Sequence, residues 1–432
     1  MKDADLSLSD RLSTIIHFID NYKDRQVEQS SYTTALRTRN WIAFCIESQI
    51  SDPKVTAFLF RELDRLSHFP EYEIGGNHLL ESGISLVWGG IYFKNSRMLQ
   101  IGKKIVTREL RRQILPDGSH YERSVGYHTF IQKNIFDLLL FYKHVLAEDV
   151  FYKILKDKFL QSLSYLKLLS GSDVLLPQFS DSNPEMNYWS NEMTSLAQDL
   201  FDNEIGSGVP VEEPIAIKVF DRSRFRLFFF RGEILAKDQP GHAHADAFTF
   251  CLHVNGLPCI VDPGVSTYDP GSSRSAQRST AMHNTVFVPG YNSADVWSGF
   301  RVGRRPSVIA LNESFNTIDY KHDGYFKLFK FQHRRTVVCE TDEIIIGDEL
   351  EGVSVCDGAY TGLHFHPDAQ VTLLENEILV RACNMRIIVE GGSAELSSYD
   401  YCIGFHKTVS SQKIRIKFNR NKIKLIIRFS DG

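Results

Sequence analysis

The feature that most constrains this chain is a change of apolar period partway along it. Up to about Asp202, the runs RLSTIIHFIDNY, ALRTRNWIAFCIES, VTAFLFRELDRLSHF, RMLQIGKKIVTRELRRQI and NIFDLLLFYKHVL place apolar residues three and four apart, the spacing of one helix face. Beyond Glu204–Glu213 the runs shorten and alternate, as in FRLFFFRGEI, FTFCLHVNG, HRRTVVCETDEIIIGDEL and IRIKFNRNKIKLIIRF. Period two with frequent Gly, Asn and Asp turns reads as antiparallel strands. The expected organisation is an all-α domain over residues 1–205, a linker near 204–213, and an antiparallel β-sandwich domain over 206–432. Ser51-Asp52-Pro53 reads as a helix start, a capping side chain followed by Pro. Asn419-Arg420-Asn421, between two alternating runs, reads as a hairpin turn. The polar interruption Leu175–Asn187 within the helical part reads as either a functional segment or a surface loop.

With 432 residues, the chain can bury two or three cores. A net charge of −4 gives no global reason to expect nucleic acid or a membrane surface as partner. No run approaches the roughly 20 apolar residues of a membrane span. The first residues lack the apolar core of a signal peptide, so the chain alone is expected to be cytoplasmic. Its seven cysteines are odd in number, widely spaced and without CxxC, which argues against a disulfide framework and a thiolate zinc site, and for buried thiols.

Four motifs could carry chemistry. In GHAHADAF (Gly241–Phe248), His242 and His244 alternate on what reads as a strand entry, with Asp246 in phase. Asp262 follows His244 by 18 residues and His283 follows Asp262 by 21; two imidazoles and a carboxylate suit zinc or a similar divalent ion. Against this stand chance pairs among 15 histidines. In GGNHLLESG, Asn77, His78 and Glu81 fall within one helical turn; a helix cap and a surface His is the plainer reading. LPDGSHYERSVGYHTF holds Asp117, His120, Glu122, Tyr127 and His128, where a Tyr at a polar helix start could exchange a proton or simply anchor the helix. DPGVSTYDPGSSRSAQRSTAMHN is a long basic loop with Tyr268, Arg274 and Arg278, suited to an anionic ligand or to solvent alone.

The order of these motifs adds information. Asn-His, then Gln113…DG…E-x-S-x-x-Tyr, then GHAHAD, VDPG and RST-x-x-HNTV, together with SYTTALRTRNWIAF, LPQFSDSN, DVWSGFRVGRRP and GLHFHP, resembles the heparinase II/III family of polysaccharide lyases over most of the chain. The resemblance implies an incomplete (α/α) toroid, here with a short helical part, followed by an antiparallel β-sandwich. It implies β-elimination on an acidic, uronate-containing glycan. Asn77 and His78 would contact the uronate carboxylate, Tyr127 would be the general acid and also the base for one stereochemistry, and His242 the opposing base. The acid and base would come from opposite domains across a cleft. His244, Asp262 and His283 would hold a structural zinc; Glu81, Tyr268 and Arg278 would meet substrate. No nucleotide cofactor is implied, and the family's usual setting is periplasmic. Two other readings remain at this stage: a non-catalytic glycan-binding or polysaccharide-assembly protein on the same fold, and a metal-dependent glycan hydrolase.

Overall fold

The computed structural model describes residues 7–22, 29–146, 149–171, 175–187, 190–201, 216–234, 236, 239–354 and 358–430. The expected linker and Cys356 lie outside the described residues. The chain divides into two compact units, Met1–Ile114 with Asn134–Phe159, and Leu115–Lys133 with Leu160–Gly432.

Helices come first: α1 (Leu8–Asp20), α2 (Ser31–Glu47), α3 (Pro53–His68), α4 (Gly76–Tyr92), α5 (Ser96–Gln113), α6 (Val125–Leu146), α7 (Val150–Ser170), α8 (Pro184–Asn187) and α9 (Ser190–Phe201). The start of α3 is built as its sequence demands. The Asp52 side chain accepts from the amides of Lys54 and Val55, and Pro53 occupies the first turn, where its missing N–H leaves nothing unpaired. Val55, Phe58, Leu59, Leu63 and Leu66 are buried along one face, each contributing roughly 1.5–3 kcal/mol over exposure. Between α4 and α5 the backbones approach so closely that a Cβ on Gly90 would lie 2.5 Å from the Leu99 nitrogen, and one on Gly102 2.7 Å from that of Val87. Glycine is what permits that approach. No helix among the described residues is long and apolar enough to cross a membrane.

The second unit is mostly sheet. Its strands are β1 (Ile217–Asp221), β2 (Phe225–Phe230), β3 (Phe250–Val254), β4 (Leu257–Ile260), β5 (Val286–Phe287), β6 (Val296–Trp297), β7 (Arg301–Val302), β8 (Val308–Glu313) and β9 (Thr317–His322). They continue with β10 (Gln332–Cys339), β11 (Glu343–Glu351), β12 (Tyr360–His364), β13 (Val371–Leu374), β14 (Glu377–Val380), β15 (Met385–Glu390), β16 (Gly392–Gly404), β17 (Lys407–Phe418) and β18 (Lys422–Phe429). One sheet runs β1-β2-β3-β4, a second β13-β14-β15-β18-β11-β10-β9-β8 and a third β16-β17-β12-β5. Residues of all three share one core, among them Phe229, Leu252, Val337, Ile346, Leu363 and Ile416.

Two expectations change here. Asn419-Arg420-Asn421 is not a hairpin: β17 pairs with β16 and β12, whereas β18 pairs with β11 and β15. The turn carries the chain from one sheet to another, and alternation alone does not say which sheet a strand joins. Cys259 and Cys383, 124 residues apart, form a disulfide, where thiols were expected; spacing carries no sign of a pairing set by tertiary proximity. Cys45, Cys251, Cys339 and Cys402 are buried free thiols, as expected.

Burial alternates strictly along β10 and β11, but the buried face turns polar at one end. Arg335 donates to both Asp348 oxygens at 2.7 Å and to the carbonyls of Phe248 and Asn284 at 2.7 and 2.6 Å. Those carbonyls flank the segments that carry Asp246 and His283. A relay of neutral rings ends on the same carboxylate. Gly324 N–H donates to His322 Nδ1, His322 Nε2 pairs with His333 Nδ1, and His333 Nε2 donates to Asp348.

Candidate active site and metal-holding group

In the first unit, α4 presents Asn77, His78 and Glu81. His78 donates from Nδ1 to Glu71 at 2.6 Å and its ring stacks on Tyr32, centroids 4.1 Å apart. Asn77 is buried and hydrogen-bonded to the Tyr32 hydroxyl, which burial raises well above its ordinary pKa. Glu81 is fully buried, paired with Arg39 at 2.8 Å and accepting from Asn134. Burial raises its pKa despite Arg39. Its oxygens are thus engaged within the protein.

The second unit holds Tyr127 and His242. Tyr127 opens α6, its amide donating to Ser124 Oγ. Its ring stacks on that of His242 with centroids 3.6 Å apart. His242 Nδ1 donates to Glu122 Oε2 at 2.5 Å, so the neutral ring keeps its lone pair on Nε2. Burial alone would lower His242, but the Glu122 carboxylate outweighs it and raises the pKa. Tyr127 is raised well above 10, first by burial and then by Tyr268 and Asp181, and it hydrogen-bonds Tyr268. A neutral phenol beside an imidazole with a free nitrogen can give one proton and take another.

The segment carrying His242 and His244 is not the expected strand entry. It turns, with Ala243 N–H donating to Pro240 O and Thr249 N–H to Asp246 O, and β3 begins only at Phe250. The two histidines therefore meet different partners.

His244, Asp246 and His283 present ligand atoms within 4.8 Å of one another, all buried. His244 Nε2 donates to Asp181 at 2.8 Å and His283 Nδ1 to Asp262 at 2.8 Å, leaving His244 Nδ1 and His283 Nε2 buried without a hydrogen bond. Burial lowers His244 to about 3 and raises Asp246 to about 6. Two orphaned imidazole nitrogens beside a carboxylate, each ring oriented by an outer carboxylate, fit a divalent metal. The carboxylate of the group is Asp246, where the sequence pointed to Asp262. Asp262 instead fixes the tautomer of His283.

Of the remaining expected residues, Arg278 is buried and donates to the carbonyls of Ala243 at 2.9 Å and Trp297 at 3.3 Å, so it clasps the His-bearing segment. Burial pushes it down to about 10. Tyr268 lies against Phe300 and Phe405 and under the Arg274 guanidinium, 5.2 Å from its ring centroid. Sequence reasoning gave no role to Tyr32, Glu71 or Asp181, and it named Glu122 and Arg274 without the partners they have here. Each stands in or beside a quoted motif, but its partner lies up to 120 residues away.

A family model described as "Heparinase II/III-like, C-terminal" matches residues 215–430, and one described as "Heparinase II/III N-terminus" matches residues 19–205. A heparin-sulfate lyase of Bacteroides thetaiotaomicron is 26% identical over 384 residues, covering 73% of this chain and 54% of its own length. The chain thus spans about half of that relative. A crystal structure of heparinase III superposes with a TM-score of 0.72 at 17% identity, covering 96% of this chain and 74% of the other. A heparan sulfate lyase HepC mutant from Pedobacter heparinus gives 0.66 at 15%, covering 97% and 73%. At these identities the likeness is one of fold, and helices followed by antiparallel sheets are the order expected of a toroid and a sandwich.

Proposed function

The chain belongs to the heparinase II/III family, and on that premise we propose that it cleaves an acidic, uronate-containing glycan by β-elimination. The observation that carries this reading is the stack of Tyr127 on His242, with Glu122 on the far nitrogen of the imidazole. Elimination needs a base and an acid in one place. His242 Nε2 takes the proton from C5 of the uronate. The electrons of that C–H bond form the C4–C5 double bond as the C4–O4 bond breaks. The Tyr127 hydroxyl gives its proton to the departing O4. No water enters.

The C5 hydrogen is not acidic until the neighbouring carboxylate is neutralised, and preorganised donors do this best. Asn77 and His78 would take that task, on the strength of the family resemblance. Tyr268, touching Tyr127, is the candidate to meet the sugar; Glu81 and Arg278, both engaged internally, act in support of their surroundings.

His244, Asp246 and His283 would hold a divalent ion, zinc by its taste for nitrogen and carboxylate donors. Such an ion would brace the segments around it. Complete burial of the three residues favours a brace over a water-activating centre. The test is incubation of the metal-loaded protein with heparan sulfate, alginate, hyaluronan and bacterial acidic polysaccharides. Products absorbing in the near ultraviolet, with the mass of an unsaturated uronate, are expected. Products heavier by one water would indicate hydrolysis, and binding without turnover a glycan-binding protein.

A further inference from the structure

The segment Leu176–Asn183 is coil, yet it is buried throughout. Buried coil is uncommon because its polar groups need partners, and here the polar side chains find them. Gln178 donates to the Tyr401 hydroxyl at 2.6 Å, Ser180 to Asp246 at 3.0 Å and Asn183 to the Val265 carbonyl at 3.2 Å, while Ser182 accepts from the Gly126 amide at 2.5 Å.

At its centre is Asp181, 0% exposed. One carboxylate oxygen accepts from His244 Nε2, and both accept from Arg274, Oδ2 at 2.7 Å. Arg274, on helix α10 (Ser272–Gln277), spreads its guanidinium between the rings of Tyr268 and Phe300, 5.2 and 5.3 Å from their centroids. The backbone of Asp181 completes the ties. Its N–H donates to the carbonyl of His242 at 3.1 Å, and its carbonyl accepts from Ser124 at 2.5 Å.

We propose that Asp181 is a positioning residue that couples the metal-holding group to the proton-transfer pair, through Arg274 and Tyr268. The inference rests on the lyase reading for its catalytic consequence and on geometry alone for the coupling. The carboxylate fixes the His244 tautomer so that Nδ1, buried without a hydrogen bond, is the atom that would meet a metal, and it anchors the cation that holds Tyr268 against Tyr127. Losing the metal frees His244, then Asp181, and so loosens the ring that Tyr127 touches.

The test uses the whole chain with Zn2+ as probe, followed by a competing chromophoric chelator and by the ring resonances of tyrosine-labelled protein. In the parent, stripping Zn2+ shifts the resonances of Tyr127 and Tyr268. In Arg274→Met the same stripping leaves them unmoved, Zn2+ affinity stays within threefold, and kcat falls at least tenfold with KM within twofold. In Asp181→Asn both Zn2+ affinity and kcat fall at least tenfold, the scale on which outer partners of metal ligands act. Should Asp181→Asn not fold, the double variant with Arg274→Met removes both buried charges and is expected to show the same loss of affinity. Unchanged tyrosine resonances on stripping the parent, or parental Zn2+ affinity without the Asp181 carboxylate, overturns the coupling. Coupling intact in a protein inert on every uronate glycan would sink the lyase reading alone.

Discussion

Glu122 grips His242 through a 2.5 Å hydrogen bond to Nδ1 while Tyr127 stacks on the same ring. The imidazole is thereby fixed in tautomer by one neighbour and in plane by the other, and only Nε2 is left to act. Glu122→Gln keeps the shape and removes the charge. It is expected to lower kcat about tenfold to a hundredfold with little change in KM, because what it disturbs is proton transfer. Initial rates across a substrate range would show the split; a rise in KM at constant kcat would contradict the assignment.

Tyr127→Phe removes the proton donor and preserves the ring stack. A loss of about 10²–10⁴ in kcat is expected, with an unchanged thermal melt. Binding of the glycan, read by calorimetry, should survive. A variant that retains a tenth of parental turnover would move the acid elsewhere.

Acid should destabilise the fold in two stages. His322 and His333 are pushed below the usual imidazole range by burial, His333 despite the neighbouring Asp348. A proton added to either ring would set N–H against N–H in the relay. Neutral burial is a stabilising state that begins to be lost as pH falls below about 6.5, the unfolded value. Burial would raise Asp348, but Arg335 outweighs it and holds the carboxyl well below its ordinary value. Its contribution is complete above about pH 4 and is lost only as pH falls further. Urea midpoints between pH 8 and 3 should therefore fall in two steps. Asp348→Asn, leaving Arg335 buried and unpaired, should cost about 3–5 kcal/mol near neutrality and shrink the lower step, to which the buried carboxylates of Asp181 and Glu122, also held below their ordinary values by their partners, still contribute. A single step near pH 4 in the parent would argue against neutral burial of these rings and of His120, His128 and His364, which burial lowers likewise.

Much of the fold was legible because it rests on local rules. The cap at Asp52-Pro53 and the apolar stripe of α3 are written in consecutive residues, as is the change from helix to strand. The candidate site was legible only in its members. Tyr127, His242, His244 and His283 stand out by type and order, but the partners that decide their roles do not. Asp246 follows the histidines in phase and Asp262 lies 18 residues beyond His244, and only folding shows which one faces the two free nitrogens and which orients His283. The same limit hid the sheet-to-sheet passage at Asn419–Asn421 and the Cys259–Cys383 bond, since alternation and spacing record no distance between remote segments.

That disulfide joins β4 to the turn between β14 and β15 and links residues 124 apart in sequence. Cys259→Ala with Cys383→Ala should lower stability by about 2–4 kcal/mol, seen as a drop of several degrees in Tm. Turnover below the transition should stay parental, because both cysteines belong to the core shared by the three sheets. Equal Tm values with and without a reductant would show the bond to be unformed.

Stripping metal with a chelator should lower Tm, and excess zinc should restore it; at a hundred times Kd a ligand bound only by the folded state contributes about 2.7 kcal/mol. The melt is the measurement, and insensitivity to both treatments would exclude a brace at His244, Asp246 and His283.

The buried coil around Asp181 also bears on how readily the protein can be altered. A segment whose polar side chains each answer to a different element tolerates neither insertion nor a drift in length. Residues 178–183 are therefore the wrong place to diversify in a search for new glycan specificity. The exposed stretch Asp269–Ser273, beside Tyr268 and outside that web, is where sequence variation can accumulate and where selection experiments should begin.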